Sequence, residues 1–97
     1  MLDMDRNILL EILKDENYPS YMIENTLHKL SNLQPQTAAA LKKWLEDGKT
    51  PSLNVEGYTF SALTSKFGMQ PIGAFLTLDW LCREPQKASN ALKRGIR

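Results

Sequence analysis

Proline and glycine divide this 97-residue chain into short segments, and this division constrains the fold more than any other sequence feature. Proline suits the first turn of a helix, because its φ is already fixed and its missing N–H is not needed there. Glycine suits the position after a helix, where the chain often turns left-handed. Prolines at 19, 35, 71 and 85 are placed to begin helices, and glycines at 48, 68 and 95 are placed to end them. The pattern therefore predicts a series of short helices.

Apolar residues recur at helical spacing inside these segments. In the first one, Ile8, Leu9, Ile12 and Leu13 fall on one helical face. Thr59 is a suitable N-cap for the fourth segment, in which Phe60, Leu63 and Phe67 form an apolar stripe that Gly68 ends. Six helices are predicted, beginning near Asp5, Pro19, Pro35, Phe60, Pro71 and Pro85. We therefore predict an all-α fold, a compact bundle of five to six helices.

The length of the chain favours a single domain over residues 1–97, since neither half is long enough to hold a stable core alone. Within it we distinguish a three-helix half, 1–48, a connector, 49–58, and a C-terminal half, 59–97. In the connector, Leu53 and Val55 alternate with polar neighbours, which is compatible with a very short extended piece. Pro51 near its start and Gly57 near its end are residues that favour turns.

The cysteine content and the N-terminal segment predict a cytoplasmic location. The one cysteine, Cys82, cannot form an internal disulfide, whereas small secreted domains usually need several. Residues 1–6 are acidic and lack the basic start and apolar run of a signal peptide. The longest nearly uncharged stretch, 67–78, is too short and too interrupted by glycine and proline to cross a bilayer. We expect no association with a membrane.

Charge is unevenly distributed although the net charge is only +1. Residues 1–48 contain five Lys or Arg and eight Asp or Glu, and residues 49–97 contain seven and three. This asymmetry has two interpretations. It can mark a face that contacts an acidic partner, or it can reflect the stabilisation of cations at helix C-termini by the helix dipole.

Residues 63–76 have the layout of a helix-turn-helix. A helix ends at Gly68, an apolar residue and Gln70 follow, and a second helix begins at Pro71. For DNA binding, Gln70 and Thr77 are the candidate base contacts, and the candidate phosphate contacts are Lys66, Arg83, Lys87, Lys93 and Arg94. Because the second helix has no Lys or Arg before position 83, any DNA binding is predicted to be weak. Similar corners also occur in helical domains that never contact DNA.

The fifth helix is apolar almost all round, which predicts burial on every side. Either the other helices surround it, or part of it lies in an interface with a partner. The candidate interface residues are Phe75, Trp80, Leu81 and Tyr58. Asp79 is the one acid within this helix, and Arg83 at i+4 is its expected partner.

No catalytic constellation can be assembled from the sequence. His28 has no nucleophile tied to it and is expected to be exposed, and Cys82 is expected to be a small buried hydrophobe. One histidine and one cysteine cannot complete a zinc site, and the glycine spacing matches no phosphate loop. We therefore predict a chain that is not an enzyme and that has no metal, no cofactor and no small-molecule substrate.

The leading hypothesis from the sequence is a small regulatory or protein-interaction module that binds a protein partner or itself as a homodimer. The alternative is a helix-turn-helix transcription regulator that binds DNA.

Overall fold

The computed structural model describes residues 6–95, of which 70% are helical, so the all-α prediction is confirmed. The elements in chain order are α1 (Arg6–Asp15), α2 (Ser20–Ser31), α3 (Pro35–Asp47), β1 (Asn54–Val55), β2 (Tyr58–Thr59), α4 (Phe60–Ser65), α5 (Pro71–Arg83) and α6 (Pro85–Lys93). None of the described helices has the length and hydropathy needed to cross a bilayer. The acidic segment before Arg6 lies outside the described residues, as does the start of α1 predicted near Asp5.

Backbone contacts divide the chain into two units, the first ending at Leu33 and the second beginning at Gln34. α3 therefore belongs with the C-terminal helices, whereas the sequence pattern grouped it with α1 and α2. The predicted connector, 49–58, lies inside the second unit. The single domain itself stays a prediction.

The first unit is a hairpin of α1 and α2. Asn17 turns the chain between them with φ of +63°, a left-handed conformation that asparagine tolerates better than most residues. The N–H of Asn17 donates to Lys14 C=O and that of Tyr18 to Leu13 C=O, both at 3.0 Å. These two bonds satisfy carbonyls at the end of α1 and form a Schellman motif.

The apolar face of α1 is narrower than its sequence predicted. Leu9 and Leu13 are buried, but Ile12 is half-buried and Ile8 remains 50% exposed. Ile8 lies 100° round the helix from Leu9, and this places it at the edge of the face rather than within it. Arg6 beside it forms an exposed ion pair with Glu24 of α2.

Helix ends in the second unit follow the proline and glycine pattern. α3 begins with Pro35 and ends at Gly48, which has φ of +70° and donates its N–H to Trp44 C=O at 2.8 Å. Thr59 caps α4 as predicted, because its Oγ1 accepts the N–H of Ala62 at 3.1 Å. The same residue is the last of β2, so strand and helix are joined directly.

The connector contains a β-hairpin. Asn54 pairs with Thr59 and Val55 with Tyr58. Glu56 and Gly57 form the turn with φ of +54° and +86°, the combination that a two-residue hairpin loop favours. The Asn54 side chain accepts the N–H of Gly57 at 3.0 Å and supports this turn.

α5 is the central element of the second unit and contacts α3, β1, α4 and α6. Its Phe75 ring is completely buried and lies 5.5 Å from the Trp44 ring and 4.8 Å from the Phe60 ring. No residue of α5 from 71 to 82 is exposed. Most of the surface of this apolar helix is thus covered within the chain.

α4 is shorter than predicted, ending at Ser65 rather than at Gly68. The N–H groups of Lys66 and Phe67 both donate to Ala62 C=O, at 2.8 and 3.4 Å, so the helical ladder does not continue. Phe67 consequently lies outside the helix, where its ring is 6.1 Å from that of Tyr58.

Candidate functional site

The predicted helix-turn-helix corner is present between α4 and α5. Gly68 has φ of +70°, a left-handed conformation in which a side chain would be strained. The next residue, Met69, donates its N–H to Leu63 C=O at 3.1 Å, and its sulfur accepts the Thr77 hydroxyl at 3.5 Å. Met69 therefore joins the two helices of the corner.

The two candidate base contacts, Gln70 and Thr77, differ in solvent exposure. Gln70 is exposed at the N-cap of α5. Thr77 is half-buried, and its hydroxyl donates to Gly73 C=O at 2.8 Å and is turned to the Met69 sulfur. Since the side chains of α5 from Pro71 to Cys82 are all buried or half-buried, the helix offers little surface to the groove of a duplex.

The candidate phosphate contacts are all exposed: Lys66, Arg83, Lys87, Lys93 and Arg94. Two of them are already engaged, because Arg83 pairs with Asp79 at 2.7 Å and Lys87 lies 3.6 Å from Glu84. The pairing of Arg83 with Asp79 confirms the partner that the i, i+4 spacing predicted.

The candidate interface residues lie mostly inside the chain. Phe75 and Leu81 have no exposed surface, and Trp80 and Tyr58 are half-buried. The Trp80 indole N–H donates to Glu84 at 3.1 Å. Of these four candidates, only Trp80 and Tyr58 can present part of a ring to a partner.

An open groove runs along α3 in the second unit, and we call it the α3 groove. It has a volume of about 390 Å³. One wall consists of α3 side chains and the other of the chain that follows Gly48; the lining residues are Gln36, Ala39, Ala40, Lys43, Trp44, Asp47, Lys49, Thr50, Pro51, Ser52 and Leu53. Its apolar surface comes from the alanines, Trp44, Pro51 and Leu53.

Local sequence explains why the groove forms. Residues 36, 40, 43, 44 and 47 share one face of α3 because they recur at spacings of three and four. Ala39 and Ala40 are small and leave space beside the Trp44 ring. The left-handed Gly48 then redirects the chain, so that residues 49–53 form the opposite wall.

Two lysines and one aspartate line the groove, so the net charge of its lining is positive. Neither Lys43 nor Lys49 forms an ion pair with any of residues 6–95, and both are exposed. Asp47 is the one acid of the lining, and its carboxylate accepts the backbone N–H of Lys49 at 2.9 Å.

Sequence reasoning did not identify this groove. In the sequence, the run Ala38-Ala39-Ala40 indicates only a high helix propensity. Two features of the sequence indicate the groove: small side chains one turn before Trp44, and a glycine after the helix that turns the chain.

The titratable and nucleophilic side chains named from the sequence do not converge. His28 is exposed, as predicted, on α2. Cys82 is half-buried rather than fully buried, and it contacts polar groups of α3: Gln36 Nε2 donates to its Sγ at 2.8 Å, and Thr37 Oγ1 lies 3.7 Å away. Burial, with a smaller contribution from Glu16, raises the pKa of Tyr18. Within residues 6–95, no three His, Cys, Asp or Glu side chains are grouped as metal ligands would be.

Comparisons with protein-family models, with curated proteins and with solved structures return no match for this chain.

Proposed function

We propose that this chain is a small, non-enzymatic helical module that binds a protein partner through the α3 groove. The observation that carries the proposal is an open, largely apolar groove whose lining includes the aromatic ring of Trp44 and three charged side chains. Protein interfaces concentrate binding energy where an anchoring side chain enters such a desolvated pocket. The volume of about 390 Å³ lies within the range of binding pockets and is ample for one or two side chains.

Site-specific photo-cross-linking tests this proposal. A benzophenone amino acid is placed at Ala39, which is exposed and lines the groove, in the full chain. The matched control carries it at Lys42, an exposed residue of the same helix outside the groove lining. In lysate of the native cells we expect discrete protein adducts from position 39 and not from position 42. The same adducts from both positions, or none from position 39, would contradict the proposal.

A homodimer remains our prediction for the oligomeric state. The prediction comes from the fifth helix, which is apolar almost all round, although its Phe75 and Leu81 are buried within the chain. Light scattering at micromolar concentration should return twice the chain mass of 11.0 kDa. If the chain is a monomer across that range, it does not self-associate, and the partner is a different protein.

DNA binding is the second candidate, and the corner at Gly68 is the observation that favours it. Lys66, Lys93 and Arg94 are exposed and have no ion pair within residues 6–95. Three phosphate contacts predict a salt slope of about −3 on duplex DNA, equal for all sequences. Replacing Lys93 and Arg94 by Ala should flatten that slope by about 2 in anisotropy titrations. A large, sequence-selective loss from Gln70→Ala would instead make base reading the function.

A further inference from the structure

The wall of the α3 groove opposite the helix has the character of an unpaired β-strand. From Pro51 to Val55 the residues are half-buried, exposed, half-buried, exposed and buried. A period of two in burial is typical of extended chain, whose side chains point to alternate sides. Pro51 and Leu53 are half-buried, Ser52 between them is exposed, and all three line the groove.

The backbone of this wall is available for hydrogen bonding. The N–H and C=O groups of Thr50, Ser52 and Leu53 form no hydrogen bond with any other part of the described chain. The pairing of β1 with β2 begins only at Asn54. A row of unpaired backbone groups beside side-chain pockets is the arrangement to which an extended peptide can add as a further strand.

The charge of the groove selects the chemistry of such a peptide. Lys43 and Lys49 stand on the two walls, and no acidic side chain within residues 6–95 pairs with either. The same lining includes the apolar side chain of Trp44, and Asp47 is its one acid, so the lysines leave the net charge of the lining positive. A matching ligand has carboxylates on both sides of an apolar side chain.

We propose that the α3 groove binds an extended segment of a partner protein in which an apolar residue is flanked by acidic residues, and that this segment pairs with the backbone of residues 50–53. The inference rests on the proposed function, since it names the ligand of the same groove. The apolar side chain occupies the space beside Ala39 and Ala40, and the flanking carboxylates meet the two lysines.

Two pools of fluorescein-labelled eight-residue peptides test this inference by anisotropy with the full chain. One pool alternates Glu or Asp with Leu, Ile or Phe, and the other has Lys in place of every acid. We expect the acidic pool to bind at least ten-fold more tightly and to weaken as salt is raised. The double variant Lys43→Glu/Lys49→Glu should lose about ten-fold affinity for the acidic pool. The control Lys29→Glu/Lys42→Glu has the same net charge, changes two exposed residues outside the groove lining, and should stay within about two-fold of the original chain.

Hydrogen exchange separates strand pairing from other modes of binding. Addition of the acidic pool should slow exchange at the amides of Thr50 and Ser52, because alternate residues of an extended chain share one hydrogen-bonding edge and pairing would occupy N–H groups that are otherwise open. Equal binding of the two pools, equal losses in both double variants, or unchanged exchange at residues 50 and 52 would each overturn the inference. If position 39 still cross-links a partner in that case, the proposed function stands and only the ligand class is wrong. If position 39 captures nothing and the acidic pool does not bind, both proposals fail.

Discussion

Asp79 accepts a hydrogen bond from the backbone N–H of Gln34 at 2.7 Å, across 45 residues of sequence. The second oxygen of the same carboxylate accepts Arg83 Nε, also at 2.7 Å. Gln34 is the N-cap of α3, so a side chain of α5 holds the residue at which α3 begins. A buried acid in an otherwise apolar helix is thereby satisfied on both oxygens.

Asp79→Ala should lower the free energy of unfolding by about 1–3 kcal/mol, because it leaves the N–H of Gln34 without its acceptor. Asp79→Asn should cost less, since its amide oxygen can still accept that bond. Urea unfolding measures both. Arg83→Ala is the control: the Arg83 side chain is 44% exposed, and its loss should cost at most about 1 kcal/mol. Equal effects of Asp79→Ala and Arg83→Ala would show that the bond to Gln34 contributes nothing.

Phe75→Ala should destabilise the chain by about 3–5 kcal/mol, because a completely buried ring between Trp44 and Phe60 would leave a cavity. Tyr21→Ala removes a ring that is 83% exposed and should change stability by less than about 0.5 kcal/mol. The two urea midpoints can be compared directly. A loss below about 1 kcal/mol from Phe75→Ala would contradict the central place of α5 in the core.

Gly68→Ala and Gly73→Ala should change the stability of the chain in opposite directions. At Gly68, φ of +70° strains any side chain, so Gly68→Ala should cost about 1 kcal/mol and the β-branched Gly68→Val more. Gly73 lies inside α5, lacks a positive φ and has open space where a Cβ would lie, so Gly73→Ala should stabilise by about 0.5–1 kcal/mol. Thermal unfolding gives both signs. A stabilising Gly68→Ala would show that the left-handed turn is not required.

Tyr18 should make the stability of the chain fall in alkaline solution. Its pKa is raised above 10.0 in the folded chain by burial and by Glu16, so the unfolded chain releases the proton first. Where the folded state holds more protons, stability decreases as pH rises, here above about pH 10. Urea midpoints at pH 9 and pH 11 should therefore differ less in Tyr18→Phe than in the original chain. An identical decline in both chains would show that Tyr18 does not contribute.

Local chemistry made most of the helices predictable. Pro35, Pro71 and Pro85 each occupy the first turn of a helix, and Gly48 and Gly68 have the left-handed φ that their positions required. Thr59 could be identified as a cap, and Asp79 as the partner of Arg83, because both interactions join residues three or four apart.

Features that depend on distant parts of the chain were not predictable in this way. The bond from Gln34 to Asp79 and the walls of the α3 groove join segments that no periodicity relates. The interface candidates were selected because Phe75 and Leu81 are large and apolar, and the same property led both into the core. The place of α3 in the second unit was missed for the same reason, since it follows from its contacts with α5.

β2 ends at Thr59 and α4 begins at the next residue, so no linker residue between them can absorb a change in length. Inserting one residue after Thr59 would advance the helix by one position, and each position turns it by 100°. Phe60 and Leu63 would then rotate out of contact with α5, and the cap would fall on a residue of a different kind. Residues 49–53 belong to no helix or strand and could absorb a change of length. In chains that share this architecture, differences in length should therefore accumulate before the hairpin, while the spacing from Asn54 to Leu63 stays constant.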